Sequence, residues 1–117
     1  DKGDAMKLAP HYPDAQFYDY TKVVKRAYLD LPDNYHITLS YSEADMDYAD
    51  QVHQAVLDTG VNMAVVFRDK LPATFRGLRV IDGDKDDLRF LDPKGVVVGL
   101  IAKGKAKHDD TGFVIDC

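Results

Sequence analysis

A chain of 117 residues, 45% of them hydrophobic, is long enough for one modest core and too short for two. Its 15 Lys and Arg against 20 Asp and Glu leave a formal charge of −5, which works against indiscriminate binding to phosphate backbones or anionic lipid and disfavours nucleic acid as a partner. The single cysteine, Cys117, can form neither an internal disulfide nor a cysteine-type zinc site, and no apolar run approaches the ~18 residues of a membrane span, so the composition reads as cytoplasmic, with no membrane partner.

The stretch "QFYDYT" reads as a first strand, being rich in aromatics after the breaker Pro13. "KVVKRAYLD" supports a short helix over 22–30 that stops near Leu31, because the residue before Pro32 is pushed away from helical geometry. "HITLSYS" alternates: Ile37, Leu39 and Tyr41 share one face, and His36, Thr38, Ser40 and Ser42 share the other. A second helix over 43–59 is signed by a capping box of Ser42 and Asp45, a buried stripe of Ala49, Val52 and Val56, and Gly60 as terminator. "VNMAVVF" is a third strand and "LRVIDGD" a fourth. "LRFLDPKGVVVGLIA" reads as a hairpin, because Asp92, Pro93, Lys94 and Gly95 suit a type I turn. Strands alternating with helices through short joints predict an α/β fold: a parallel βαβαβ sheet with a C-terminal β-hairpin, resembling part of a (β/α) barrel, in one domain over 1–117.

Ligands of parallel α/β sheets bind beyond the carboxyl ends of the strands. Those ends supply the candidate ligand-binding residues Asp19, Lys22, Ser40, Ser42, Arg68, Asp82 and Asp84. A mid-strand carboxylate such as Asp19 needs a partner, and Arg68 is a candidate for that role or for gripping an anionic group. The acidic run "VIDGDKDD" fails as an EF-hand: Asp82, Asp84 and Asp86 fit the first ligand positions, but Asp87 replaces the required Gly and Pro93 the closing Glu. Two readings of Asp82 and Asp84 remain open, a solvated turn and a site for hydroxyls or Mg²⁺. His11, His36, His53 and His108 show no metal-ligand spacing, so no metal is assigned, and neither a nucleophile elbow nor a phosphate-binding glycine loop is present. "AKGKAKHDD" is a small basic patch of the kind that usually forms a solvated linker.

The segments "FYDYTK", "LPDNYHITLSYSE", "GVNMAVVF", "LPATFRG" and "VIDGDKDDLRFLDPKGVVVGLIAKGKAKHDDTGFVI" together resemble a family of phage, prophage and bacterial proteins similar to phage gene product 88-like proteins. The resemblance runs from about Phe17 to Val114 and is most specific over Val80–Gly104. It implies that the chain, which opens at Asp1, is the C-terminal part of a longer pattern whose first half carries cysteines and a barrel-like start. Iron–sulfur or S-adenosylmethionine chemistry does not carry over to these residues, so neither a cofactor nor a catalytic residue is assigned.

The expected function is therefore a phage-associated small-ligand-binding or catalytic α/β module with a polar site at the strand ends. The alternative is a protein–protein interaction or oligomerisation module, because the edges of a small open sheet invite pairing with a second copy or with a missing N-terminal half.

Overall fold

The computed structural model describes residues 17–30, 35–85 and 93–116. Three strands open the fold: β1 (Phe17–Thr21), β2 (Tyr35–Ser40) and β3 (Asn62–Phe67). They lie side by side and parallel, with Phe17 opposite Tyr35, Thr21 opposite Leu39 and Ser40 opposite Ala64. Parallel neighbours need a crossover, and two are present. Between β1 and β2 runs one 3₁₀ turn, Val24–Tyr28, in place of the expected helix over 22–30. Its N-cap Val23 offers no side-chain acceptor, and Val23 and Val24 are both β-branched, which favours a brief tight turn over a sustained helix.

Between β2 and β3 runs α1 (Met46–Thr59). It starts three residues later than the sequence suggested. The Asp45 carboxylate is the cap, accepting from Asp47 N at 2.9 Å and Tyr48 N at 3.3 Å, whereas Ser42 Oγ accepts from Ala44 N in a turn ahead of the helix. Ala49, Val52, Ala55 and Val56 form the buried stripe, and Gly60, in the left-handed region, closes the helix. The stripe packs on Leu39, Tyr41, Met63, Val65 and Phe67, with Val24 and Ala27 of the 3₁₀ turn against the same cluster. Both crossovers thus cover one face of the sheet.

The remainder extends the sheet. β4 (Thr74–Phe75) and β5 (Leu78–Asp82) form a tight antiparallel hairpin through Arg76 and Gly77, whose φ angles of 50° and 80° belong to a type I′ turn. β6 (Val97–Ile101) is parallel to β3 on one side and to β5 on the other. The first arm of the hairpin expected before Pro93 lies outside the described residues. A second 3₁₀ turn (Gly104–His108) leads to β7 (Val114–Ile115), parallel to β3 at Val66 and Phe67. Because β6 occupies the other edge of β3, β7 takes over the β2 side where β2 has ended. The result is a mixed α/β fold with a mostly parallel sheet in the order β1-β2-β3-β6-β5-β4. Among the described residues this order does not close into a barrel.

Candidate functional site

In parallel strands, register partners point to the same side, which fixes the two faces. Tyr20 shares the face opposite the helix with Thr38 and Asn62, while Asp19 and Thr21 share the helix face with Ile37 and Leu39. The polar groups of that opposite face are in part structural. The Asn62 amide donates to Pro93 O at 2.7 Å and accepts from Val96 N at 3.0 Å, pinning the entry to β6. Thr38, fully buried, has a hydroxyl with no hydrogen-bond partner among the described residues.

Three candidate residues meet where β1 and β2 end. Lys22, Ser40 and Ser42 line a cleft of about 450 Å³ together with Ala44, Asp45 and Tyr48 from the approach to α1 and its first turn, and Thr111 and Phe113 from the segment before β7. A neighbouring hollow of about 340 Å³ shares Lys22 and Ser40 and adds Tyr20, Thr21 and Val23. Lys22 is exposed and brings an ammonium with no ion-pair partner among the described residues. Ser42 Oγ is used as an acceptor, leaving its O–H to donate outward. The Tyr48 phenol donates to Ser40 O, and burial holds its pKa above the usual value, so it stays neutral and fixes the floor of the cleft. The cleft thus offers an ammonium and serine hydroxyls together with the rings of Tyr48 and Phe113.

The wall carrying Thr111 and Phe113 is held from several directions. Glu43 N donates to Gly112 O at 2.7 Å, and the Glu43 carboxylate accepts from the buried Tyr41 hydroxyl at 2.6 Å. Gly112 has φ +100°, and a Cβ there would lie 2.6 Å from the Glu43 carbonyl carbon, so only glycine fits without displacement. The Thr111 hydroxyl donates to Asp109, which also accepts from Val114 N; these bonds, the hydroxyl first, with Arg68 nearby, hold the Asp109 pKa below the ordinary carboxylate value. Arg68 Nε donates to Asp116 at 2.5 Å, and its other nitrogens donate to the carbonyls of Lys107 and Asp109.

The remaining candidates lie elsewhere. Asp19 meets Arg26, 3.5 Å away, and the Tyr35 hydroxyl, 3.3 Å away, beneath the 3₁₀ turn; its cation is Arg26 and not Arg68. Arg68 is committed to the segment before β7 and grips no strand-end carboxylate of β1. Asp82 is exposed and turns the chain by accepting from Asp84 N at 2.9 Å, while Asp84 accepts from Ile101 N and pairs with Lys103. Asp82 is opposite Gly99, which is opposite Val65, and Ser40 lies one strand further on, so Asp82 stands three strand spacings, roughly 14 Å, from Ser40. The four-residue convergence of Asp19, Ser40, Arg68 and Asp82 does not form. Asp86 and Asp87 lie outside the described residues, among which no group of three or more His, Cys, Asp or Glu is placed to hold a metal.

Sequence reasoning missed Tyr48, Thr111, Gly112 and Phe113. Tyr48 was hidden in the first turn of the helix. "TGFVI" offered a turn followed by a β-branched pair, but its partner, the far end of β3, is distant in sequence.

A mostly parallel α/β sheet with a cleft at its strand ends defines a small α/β protein. A protein-family model described as gene product 88 matches residues 3–117, essentially the whole chain, and the chain belongs to that family of phage gene-product-88-like proteins. No significant match was found among curated proteins or solved structures. Among the described residues no helix is long and apolar enough to cross a membrane.

Proposed function

We propose that this gene product 88 family chain, taken as one unit over 1–117, is a small-ligand-binding module whose site is the cleft beyond β1 and β2, and that its ligand carries an anionic group and an apolar or aromatic body. One observation carries this reading: Lys22, Ser40 and Ser42 line the same cleft at the strand ends, where α/β sheets place their ligands. Its volume of about 450 Å³ suits a small molecule. The Lys22 ammonium and the serine hydroxyls are donors for a carboxylate or phosphate, while Phe113 and Tyr48 offer ring surface. The Asp45 carboxylate already occupies first-turn amides of α1, so the anion belongs on the Lys22 side. We assign no reaction to the site.

Ligand-observed NMR with a panel of nucleoside monophosphates, sugar phosphates and aromatic carboxylates tests this. Saturation transfer to at least one member, lost in Lys22→Ala, is the expected result. Silence across the whole panel, or signals unaffected by Lys22→Ala, sinks the proposal.

A second reading, self-association, is favoured by a different observation. Tyr20, Val23, Tyr28 and Leu29, on or just after β1, the edge strand among the described residues, are between 37% and 53% exposed, a concentration of large apolar groups. A solution mass measurement at high concentration decides it, with a dimer in favour and a monomer against.

A further inference from the structure

The charged residues that line the cleft, Lys22 and Asp45, carry opposite signs, and neither is in an ion pair among the described residues. The hydrogen-bonding capacity left in the lining is unevenly divided. Lys22 brings an ammonium that only donates, and the Ser42 hydroxyl, whose oxygen accepts from Ala44 N, keeps its proton to give. The Tyr48 phenol is spent on Ser40 O and the Thr111 hydroxyl on Asp109. Asp45 is the lining side chain that only accepts. Its Oδ1 takes both first-turn amides, Asp47 N and Tyr48 N, and its Oδ2 has no partner among the described residues. Capping does not cancel its charge, since the positive end of a helix amounts to about half an elementary charge.

We propose that the cleft takes a zwitterion, an α-amino acid with an apolar or aromatic side chain, its carboxylate on Lys22 and Ser42 and its ammonium on Asp45 Oδ2. This rests on the cleft being the ligand site proposed above and adds a cationic group to the ligand. The charge balance argues for it. A ligand that is only anionic satisfies Lys22 and brings a like charge into the cleft with Asp45, and a phosphate dianion brings two. A ligand with both charges meets each of them with a charge-assisted hydrogen bond. Direct pairing of Lys22 with Asp45, both exposed, would be worth little, so a ligand that engages both gives up little. Ala44 and the rings of Tyr48 and Phe113 remain for the apolar side chain.

Isothermal titration of the full chain with a matched set of compounds tests the proposal: L-phenylalanine, hydrocinnamate, which lacks only the ammonium, and phenethylamine, which lacks only the carboxylate. L-Phenylalanine is expected to bind about tenfold or more tighter than either, because each of the others forfeits one charge-assisted contact. Asp45→Asn is expected to keep the helix capped, since asparagine caps as well as aspartate, and to bring L-phenylalanine within about twofold of hydrocinnamate. Equal affinity of the unaltered protein for L-phenylalanine and hydrocinnamate would overturn the proposal without any variant having to fold. If that shared binding is lost in Lys22→Ala, the cleft stands as an anion site and only the zwitterion falls. Silence from all of these compounds also overturns the zwitterion, and the phosphate members of the earlier panel then decide the cleft by themselves. A preference for L-phenylalanine that persists undiminished in Asp45→Asn would remove Asp45 as the partner of the ammonium and overturn the proposal as well.

Discussion

The backbone of Gly112 is pressed against that of Glu43: the Glu43 amide donates to the Gly112 carbonyl at 2.7 Å, and a side chain on Gly112 would begin 2.6 Å from the Glu43 carbonyl carbon. Gly60, also at positive φ, has its nearest prospective contact at 3.9 Å, the Lys94 Cβ. Gly60→Ala therefore pays only the left-handed backbone cost of about 1 kcal/mol, whereas Gly112→Ala adds a clash with backbone that cannot move aside, for a total of about 2 to 4 kcal/mol. Denaturant melts of the two variants side by side check the order, and equal losses would show that the 109–116 segment yields freely.

The buried stripe of α1 gives a second comparison. Val56 is 2% exposed and Leu57, the next residue, 58%. Val56→Ala should cost roughly 1 to 3 kcal/mol through lost burial and a residual cavity, and Leu57→Ala less than about 0.5 kcal/mol.

This contrast was legible in the sequence, because a helix of period 3.6 fixes its own buried face from Ala49, Val52 and Val56 without reference to anything else. The parallel sheet was legible from the succession of strands and crossover segments through short joints, which implies parallel pairing. The face of Asp19 was not. In "FYDYT" aromatics alternate with Asp and Thr, and a register shift of one residue against β2 would exchange the two sets. What decides is Arg26, seven residues along, whose guanidinium reaches back under the 3₁₀ turn to Asp19 and to the Tyr35 hydroxyl at 2.7 Å, making a carboxylate tolerable on the helix face. Arg68 was misread because its partners, Asp109 and Asp116, are some forty residues away and meet it only once β7 has joined β3.

The Arg26 arrangement is itself testable. Its side chain is 10% exposed, against 18% for Asp19, and its guanidinium also lies 5.7 Å from the Tyr35 ring centre. Arg26→Leu takes the guanidinium away from the carboxylate while the Tyr35 hydroxyl stays on it, and should cost about 3 kcal/mol. The double change Arg26→Leu with Asp19→Asn should recover part of that loss in the same melt, because the uncompensated charge is gone. A double variant no better than the single one would show that the guanidinium's packing on Tyr35, and not the ion pair, is what counts.

Alkaline stability follows from Tyr41. Burial first, then its bond to Glu43, raise its pKa well above the unperturbed 10.0. In the unfolded chain the phenol loses its proton near pH 10, while the folded protein holds it, so the unfolded state binds fewer protons above that pH and stability falls as pH rises. Below pH 10 the contribution is intact. Melts between pH 9 and about 11.5 should show this decline, and Tyr41→Phe, which has no proton to lose, should decline less steeply. Identical slopes would mean that other groups carry the alkaline transition.

The last prediction separates the cleft from the acidic turn with which it competes as a site. Lys22 is exposed, lines the cleft and holds no ion-pair partner among the described residues, so Lys22→Met should leave the melt within about 0.5 kcal/mol of the unaltered protein. A ligand whose anionic group meets that ammonium should lose about tenfold or more in affinity, and rising salt should weaken binding to the unaltered protein in the same direction, because the contact is half in water. Asp82→Asn serves as the control. Asp82 stands roughly 14 Å from Ser40 by strand spacing and makes an exposed turn contact to Asp84, so its neutralisation should change neither the affinity of a cleft ligand nor, by more than a few tenths of a kcal/mol, the stability. Isothermal titration of both variants with a panel member that binds the unaltered chain decides the matter. Lost affinity in Asp82→Asn with Lys22→Met unaffected would move the site from the ends of β1 and β2 to the end of β5.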